Sequence, residues 1–113
     1  MKAIQINTEV NLTSGLSTPS GSVCVIAEGY ADMKSQKDGF IPAQIATFVY
    51  ASAQAIAEGK QPIQGIQDFN TTFSNLELSV VDYETVPAET LLVDAVYNAL
   101  NAIYPDQVEV ITL

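Results

Sequence analysis

Four lysines, thirteen carboxylates and one cysteine, with no arginine and no histidine, are the charged and nucleophilic groups available to this chain of 113 residues. Without histidine there is no Ser-His-Asp or Cys-His relay and no imidazole ligand, so zinc chemistry is not expected. Cys24 lies in the apolar run Val23-Cys-Val-Ile-Ala27. With no cation beside it to favour the thiolate, it reads as a small buried hydrophobe, and a lone cysteine closes no internal disulfide. Gly59-Lys60 is followed by Gln61 and fails the phosphate-loop pattern, and no G-x-G-x-x-G occurs. Asp82, Glu84 and Glu89 crowd one junction where Ca²⁺ could be weighed. They lack EF-hand spacing, and solvated acids are the simpler reading in an acidic chain. Paired carboxylates for glycoside chemistry stay open, although an aromatic content of 8% without Trp offers little surface for stacking a sugar. Asn11-Leu-Thr13 and Asn70-Thr-Thr72 spell glycosylation acceptors. They read as chance matches, because the N-terminus alternates from Lys2 instead of presenting the apolar region of a secretory signal. No catalytic residue, cofactor or metal site is expected, and the chain is read as a non-enzyme.

Charge narrows the partners. A formal net charge of −9 repels a phosphate backbone, and no guanidinium is present to fork onto phosphate or guanine, so direct nucleic-acid binding is not expected. Anionic membrane surfaces are disfavoured for the same reason, and no apolar run approaches the roughly 18 residues of a membrane span. The expected place is the cytosol, or a particle assembled there. A chain of 113 residues fits one domain, and 48% hydrophobic against 15% charged residues argues for a folded core. So few charges leave little to keep a surface wet, which points to partners covering part of it.

The elements must therefore position surfaces more than reactive groups. From Lys2 to Leu12, Ile4, Ile6, Thr8, Val10 and Leu12 alternate with polar neighbours, which predicts a half-buried strand. A loop follows over Thr13 to Gly21, with Leu16 as its lone apolar anchor. Strands are expected from Ser22 to Met33, apolar on both faces and so central, and from Phe40 to Tyr50. Lys34-Ser-Gln-Lys-Asp-Gly39 sits between them. Asp-Gly favours a hairpin turn, with Lys34 and Lys37 keeping the tip solvated or meeting a partner. Ser52 to Lys60 predicts a short helix with Ser52 as N-cap and Gly59 beyond its end. Gln61 to Asn70 reads as a connection placing Ile63, Ile66 and Phe69 on the core, and Thr72 to Tyr83 as a fourth strand. A long helix from Pro87 carries the stripe Leu91, Leu92, Ala95, Val96, Ala99, Leu100 and Ile103, and ends at Pro105-Asp106. Glu89 in its first turn complements the helix dipole. A last strand covers Gln107 to Leu113, and the fourth strand, long helix and last strand suit a right-handed crossover. The expected fold is α+β, one domain with a mixed, mainly antiparallel sheet of about five strands, one long C-terminal helix and one short helix.

Outside its stripe the long helix also carries Val93, Tyr97, Ala102 and Tyr104, leaving Thr90, Asp94, Asn98 and Asn101 as a narrow polar strip. One sheet needs only about a third of a helix circumference. Tyr97 and Tyr104 either snorkel at the rim of the core or anchor a subunit interface. The candidate partner-interface residues are Leu16, Lys34, Lys37, Tyr97 and Tyr104.

The passage Phe48-Val-Tyr-Ala-Ser-Ala-Gln-Ala-Ile-Ala-Glu-Gly-Lys-Gln-Pro-Ile63 resembles strand-to-short-helix passages of small structural proteins of tailed bacteriophage virions, among them neck, tail and capsid-accessory subunits. The resemblance covers this stretch alone and carries no functional residue across. It implies assembly by protein contacts, as a homo-oligomer or with other virion subunits. The alternative is a small soluble regulatory domain that captures a peptide or protein along a sheet edge.

Overall fold

Residues 1–11, 15, 17–63 and 76–113 are described in this computed structural model. Leu12, Leu16, Ile66, Phe69 and the start of the expected fourth strand lie outside the described residues. In chain order the elements are β1 (Lys2–Ile6), β2 (Val10–Asn11), β3 (Ser17–Thr18), β4 (Ser22–Ala31), β5 (Phe40–Tyr50), α1 (Ala53–Ala57), β6 (Leu76–Ser79), α2 (Val80–Thr85), α3 (Ala88–Ile103) and β7 (Val108–Thr112). Five of the strands form a curled antiparallel sheet in the order β6-β5-β4-β1-β7, which places β4 at its centre. The fold is α+β. Because every ladder is antiparallel, β6 and β7 run parallel to each other at opposite edges, with α3 lying on the sheet between them.

β5 shows how the sheet chooses its faces. Ile41, Ala43, Ile45, Thr47 and Val49 are buried, while Phe40, Pro42, Gln44 and Phe48 are exposed, which is the period of two that a strand imposes. Its ladder with β4 pairs Cys24 with Val49 and continues across β1 as Ile4 with Cys24 and Ile4 with Val110. A bulge between Ile26 and Glu28 interrupts the β4–β5 register and brings Gly29 opposite Ile45 on the helix side. Onto this side α3 lays Val93, Val96 and Leu100, all buried in one cluster with Ile4, Ile6, Cys24, Ile45, Val49 and Val108. The backbone N–H of Lys2 donates to Glu89 Oε1 at 2.9 Å, tying the first turn of α3 to β1. A carboxylate there also complements the positive end of the helix dipole.

The hairpin tip follows its turn chemistry. Asp38 and Gly39 take φ of 55° and 81°, and Lys37 and Phe40 exchange backbone hydrogen bonds of 2.9 and 3.0 Å around them. Two successive left-handed residues between a hydrogen-bonded pair form a type I′ turn, the geometry that matches strand twist. The short helix keeps its caps too. Ala55 N–H donates to Ser52 Oγ at 3.1 Å, and Lys60 N–H reaches Ala55 O at 2.9 Å beyond Gly59, whose φ is 71°. This is a Schellman ending.

Four expectations are corrected. The first strand is not continuous to Leu12: pairing with β7 stops at Ile6, and Val10–Asn11 joins Ser17–Thr18 in a separate ribbon. The second ends at Ala31 instead of Met33, because the Asp32 side chain accepts from Lys34 N–H at 3.1 Å and from Ser35 Oγ at 2.8 Å, capping a 3₁₀ turn over Met33–Ser35. The fourth does not reach Tyr83, since Val80–Thr85 is helical. β6 pairs with β5 only as far as Ser79 opposite Phe40, where β5 begins, so the next residues have no ladder partner and satisfy their backbone in a helical turn. Finally, the stripe of α3 differs at two positions: Leu92, Ala95, Val96, Ala99 and Leu100 pack in the core as expected, but Val93 is buried with them and Ile103 is 48% exposed.

Candidate interaction surface

α3 covers one side of the sheet, and a single close approach sets how deep it sits. Leu92 rests on Gly29 of β4, where an added Cβ would lie 2.8 Å from both Leu92 Cδ atoms. On either side of this contact the helix stands off the sheet and leaves an open groove. One, of about 340 Å³, is lined by Met1, Lys2, Ile26, Ala27, Glu89 and Val93. The other, of about 330 Å³, is lined by Ala31, Leu78, Val86, Ala88 and Leu91. The charged side chains in them are Lys2 and Glu89, and the Glu89 carboxylate already receives the Lys2 N–H. Neither groove brings together a nucleophile, a base and a donor set for a developing charge.

The remaining groups of possible chemistry are equally constrained. Burial pushes the Cys24 thiol up to about 11, and the nearby Thr47 hydroxyl opposes that shift more weakly. Thr47 Oγ1 makes no contact of full hydrogen-bond geometry, so desolvation governs and the thiol stays protonated at neutral pH. Asp82 and Glu84 stand exposed on α2, and among the described residues no group of three or more potential ligands could hold a metal ion. No helix among the described residues is long and apolar enough to cross a membrane.

The other face of the sheet is partly buried, with Val23 at no exposure where it pairs with Gln5 and Tyr50. Its register brings Ile111 beside Ala3, and Val25 beside Phe48, with Ala3 and Val25 each one step along from the Ile4–Cys24 pair. The result is an apolar row crossing β7, β1, β4 and β5. Ala3 is buried, Ile111 and Val25 are half-buried, and Phe48 is 51% exposed. Phe40, also on this side of β5, is 47% exposed. A row across four strands depends on register, which no spacing along one strand carries.

The five interface candidates are distributed differently. Lys34 and Lys37 are exposed at the tip between β4 and β5, about the turn that explains Asp38 and Gly39 without any ligand. Tyr97 and Tyr104 are half-buried and pack against the core cluster, one on α3 and one just past its end. Leu16 lies outside the described residues. The hairpin tip and the two tyrosines thus occupy separate parts of the molecule, and the row through Phe48 adds a third, apolar one.

No protein family matches the chain, and neither a curated protein nor a solved structure matches it.

Proposed function

We propose that this chain is a non-enzymatic assembly subunit that works through protein–protein contacts, as a structural component of a bacteriophage virion. The observation that carries the assembly reading is the apolar row Ile111, Ala3, Val25 and Phe48 on the sheet face opposite α3, ending in a phenylalanine that is half exposed. Aromatic and aliphatic side chains arranged on a rigid sheet are the kind of surface that a second protein desolvates at small entropic cost. The virion reading adds the likeness of Phe48 to Ile63 to passages of small phage structural proteins, and no step of chemistry is assigned to the chain. Partners are protein, another copy or other virion subunits, with neither nucleic acid nor membrane bound directly.

Light scattering on the purified chain, together with recovery from its native source, tests this. The expected result is an oligomer or a stoichiometric complex with a second protein. A monomer at high concentration from which no partner is recovered contradicts it. Virion membership is tested separately by mass spectrometry of purified particles, where the chain is expected at a fixed copy number and its absence removes that part of the proposal.

A further inference from the structure

The last strand of the sheet leaves hydrogen-bonding groups unused. Asn7 N–H donates to Gln107 O at 2.6 Å and Leu113 N–H donates to Met1 O at 2.8 Å, so the odd-numbered residues of β7 turn their main chain toward β1. In an antiparallel ladder the intervening residues point the other way. Val108, Val110 and Thr112 therefore direct their N–H and C=O groups to the outer edge, where no strand pairs with them among the described residues. Natural sheets protect such edges with charged side chains, proline or a bulge. β7 reads Val-Glu-Val-Ile-Thr, has no proline and pairs with β1 without a register shift, and its one charge, Glu109, is drawn inward by accepting from Gln5 Nε2 at 3.2 Å.

The side chains say what fits that edge. On the helix side, one row runs Val49, Cys24, Ile4, Val110. The first three are at most 3% exposed and Val110 is 42% exposed. A buried apolar row thus ends in an open valine at the rim of the sheet. The segment that would continue it must be a strand offering an apolar residue opposite Val110, flanked by groups that do not oppose Glu109 with another acid.

We propose that β7 pairs with β7 of a second copy of this chain, antiparallel and centred on Val110, so that the two sheets join into one. This rests on the assembly reading and specifies one contact within it. Centring on Val110 pairs all five residues of the strand with their counterparts, since Val108 meets Thr112 and Glu109 meets Ile111. The helix-side row then runs unbroken from Val49 of one copy to Val49 of the other, and both copies of α3 lie on the same side. Centring one residue earlier would set the two Glu109 carboxylates directly opposite each other, an unfavourable like-charge pair. Centring one residue later would pair only Val110 to Thr112 within the strand, leaving Val108 and Glu109 without strand partners. Each copy carries a formal net charge of −9, so long-range repulsion opposes the contact and salt relieves it. The joined strands themselves bring only Glu109 from each copy.

Sedimentation velocity on the full chain and three variants tests the contact. Wild type is expected to dimerise, more tightly as salt is raised. Val110→Lys places like charges across the two-fold axis and is expected to raise the dimer dissociation constant about tenfold or more, with an unchanged circular dichroism spectrum. Val110→Cys is expected to form an intermolecular disulfide under mild oxidation, because a hydrogen-bonded antiparallel pair has Cα atoms about 5.5 Å apart, within disulfide range. Thr112→Cys, facing Val108 of the other copy, is expected not to. Wild-type association that survives Val110→Lys, with no cross-link through Val110→Cys, overturns this contact and leaves the assembly reading standing. So does a wild-type monomer that instead binds a basic peptide less tightly as salt rises. A wild-type monomer with no partner of any kind overturns both.

Discussion

The two faces of the sheet are built from the same alternating strands and differ at their rims. On the helix side, Ile4, Ile6, Cys24, Ile45 and Val49 meet Val93, Val96 and Leu100 and lose nearly all contact with water. On the far side, Val25 and Phe48 stand in a comparable row and stay partly wet. Much of the difference lies in α3, which is reached from β6 through α2, leads into β7 and lies on one face. The helix side stabilises the monomer, while the far side keeps Phe48 half exposed, and under the proposed function that residue meets another protein. This division assigns stability to one face and association to the other, and it can be broken from either direction.

The largest effect is expected from the helix side. Leu100→Ala removes a side chain with no exposure and should cost about 3 kcal/mol or more in urea unfolding, whereas Phe48→Ala should cost the monomer under about 1 kcal/mol. Equal losses would mean that Phe48 belongs to the core. Next is the pH response of Cys24. Its folded-state value of about 11 lies above the ordinary thiol value of 9.0, so the unfolded chain releases this proton first as pH rises. The neutral thiol's contribution is complete below pH 9 and is lost progressively toward pH 11. Relative to Cys24→Ala, wild type should lose about 2 kcal/mol across that window, and a parallel pH dependence of the two would show an accessible thiol.

The hairpin tip should respond comparably. Asp38→Ala with Gly39→Val forces two side chains that disfavour positive φ into a type I′ turn, with an expected cost of about 2 kcal/mol in the same unfolding measurement. The smallest effect is at the neighbouring lysines. Lys34→Ser with Lys37→Ser should leave stability within about 0.5 kcal/mol, because both side chains are exposed. If the pair weakens association, the tip meets an acidic partner and the far face is not the whole interaction surface.

Local chemistry made several elements legible in the sequence. Alternating apolar residues pointed to a strand about Phe40 to Tyr50, which is β5, Asp-Gly to its turn, and Ser52 and Gly59 to the caps of α1. What escaped was set at a distance. Val80 and Val81 continue a strand-like pattern, yet Ser79 already faces the first residue of β5 and the ladder has nowhere to go. In α3, apolar residues are so many that periodicity alone leaves its rotation free. Leu92 packs on Gly29 and Val93 is buried, while Ile103, on the same helix face as Leu92, is exposed near the end of the helix. The row through Phe48 and the open edge of β7 follow from strand order, and no spacing along the chain encodes that order. Tyr97 and Tyr104 were legible as amphipathic, and their packing on the core means that changes there act on the monomer as well as on any partner.

Phe48→Lys, assayed in parallel for thermal unfolding and for the mass of its complexes in solution, is the most direct test of the division between the faces. A charge at an exposed end of the far-side row leaves the core untouched and makes burial of that row against another protein costly. The expected result is an unfolding midpoint within a few degrees of wild type, together with weakened association with itself or with its recovered partner. An unfolded variant, or a folded one whose complexes match those of wild type, would contradict the assignment of association to this face.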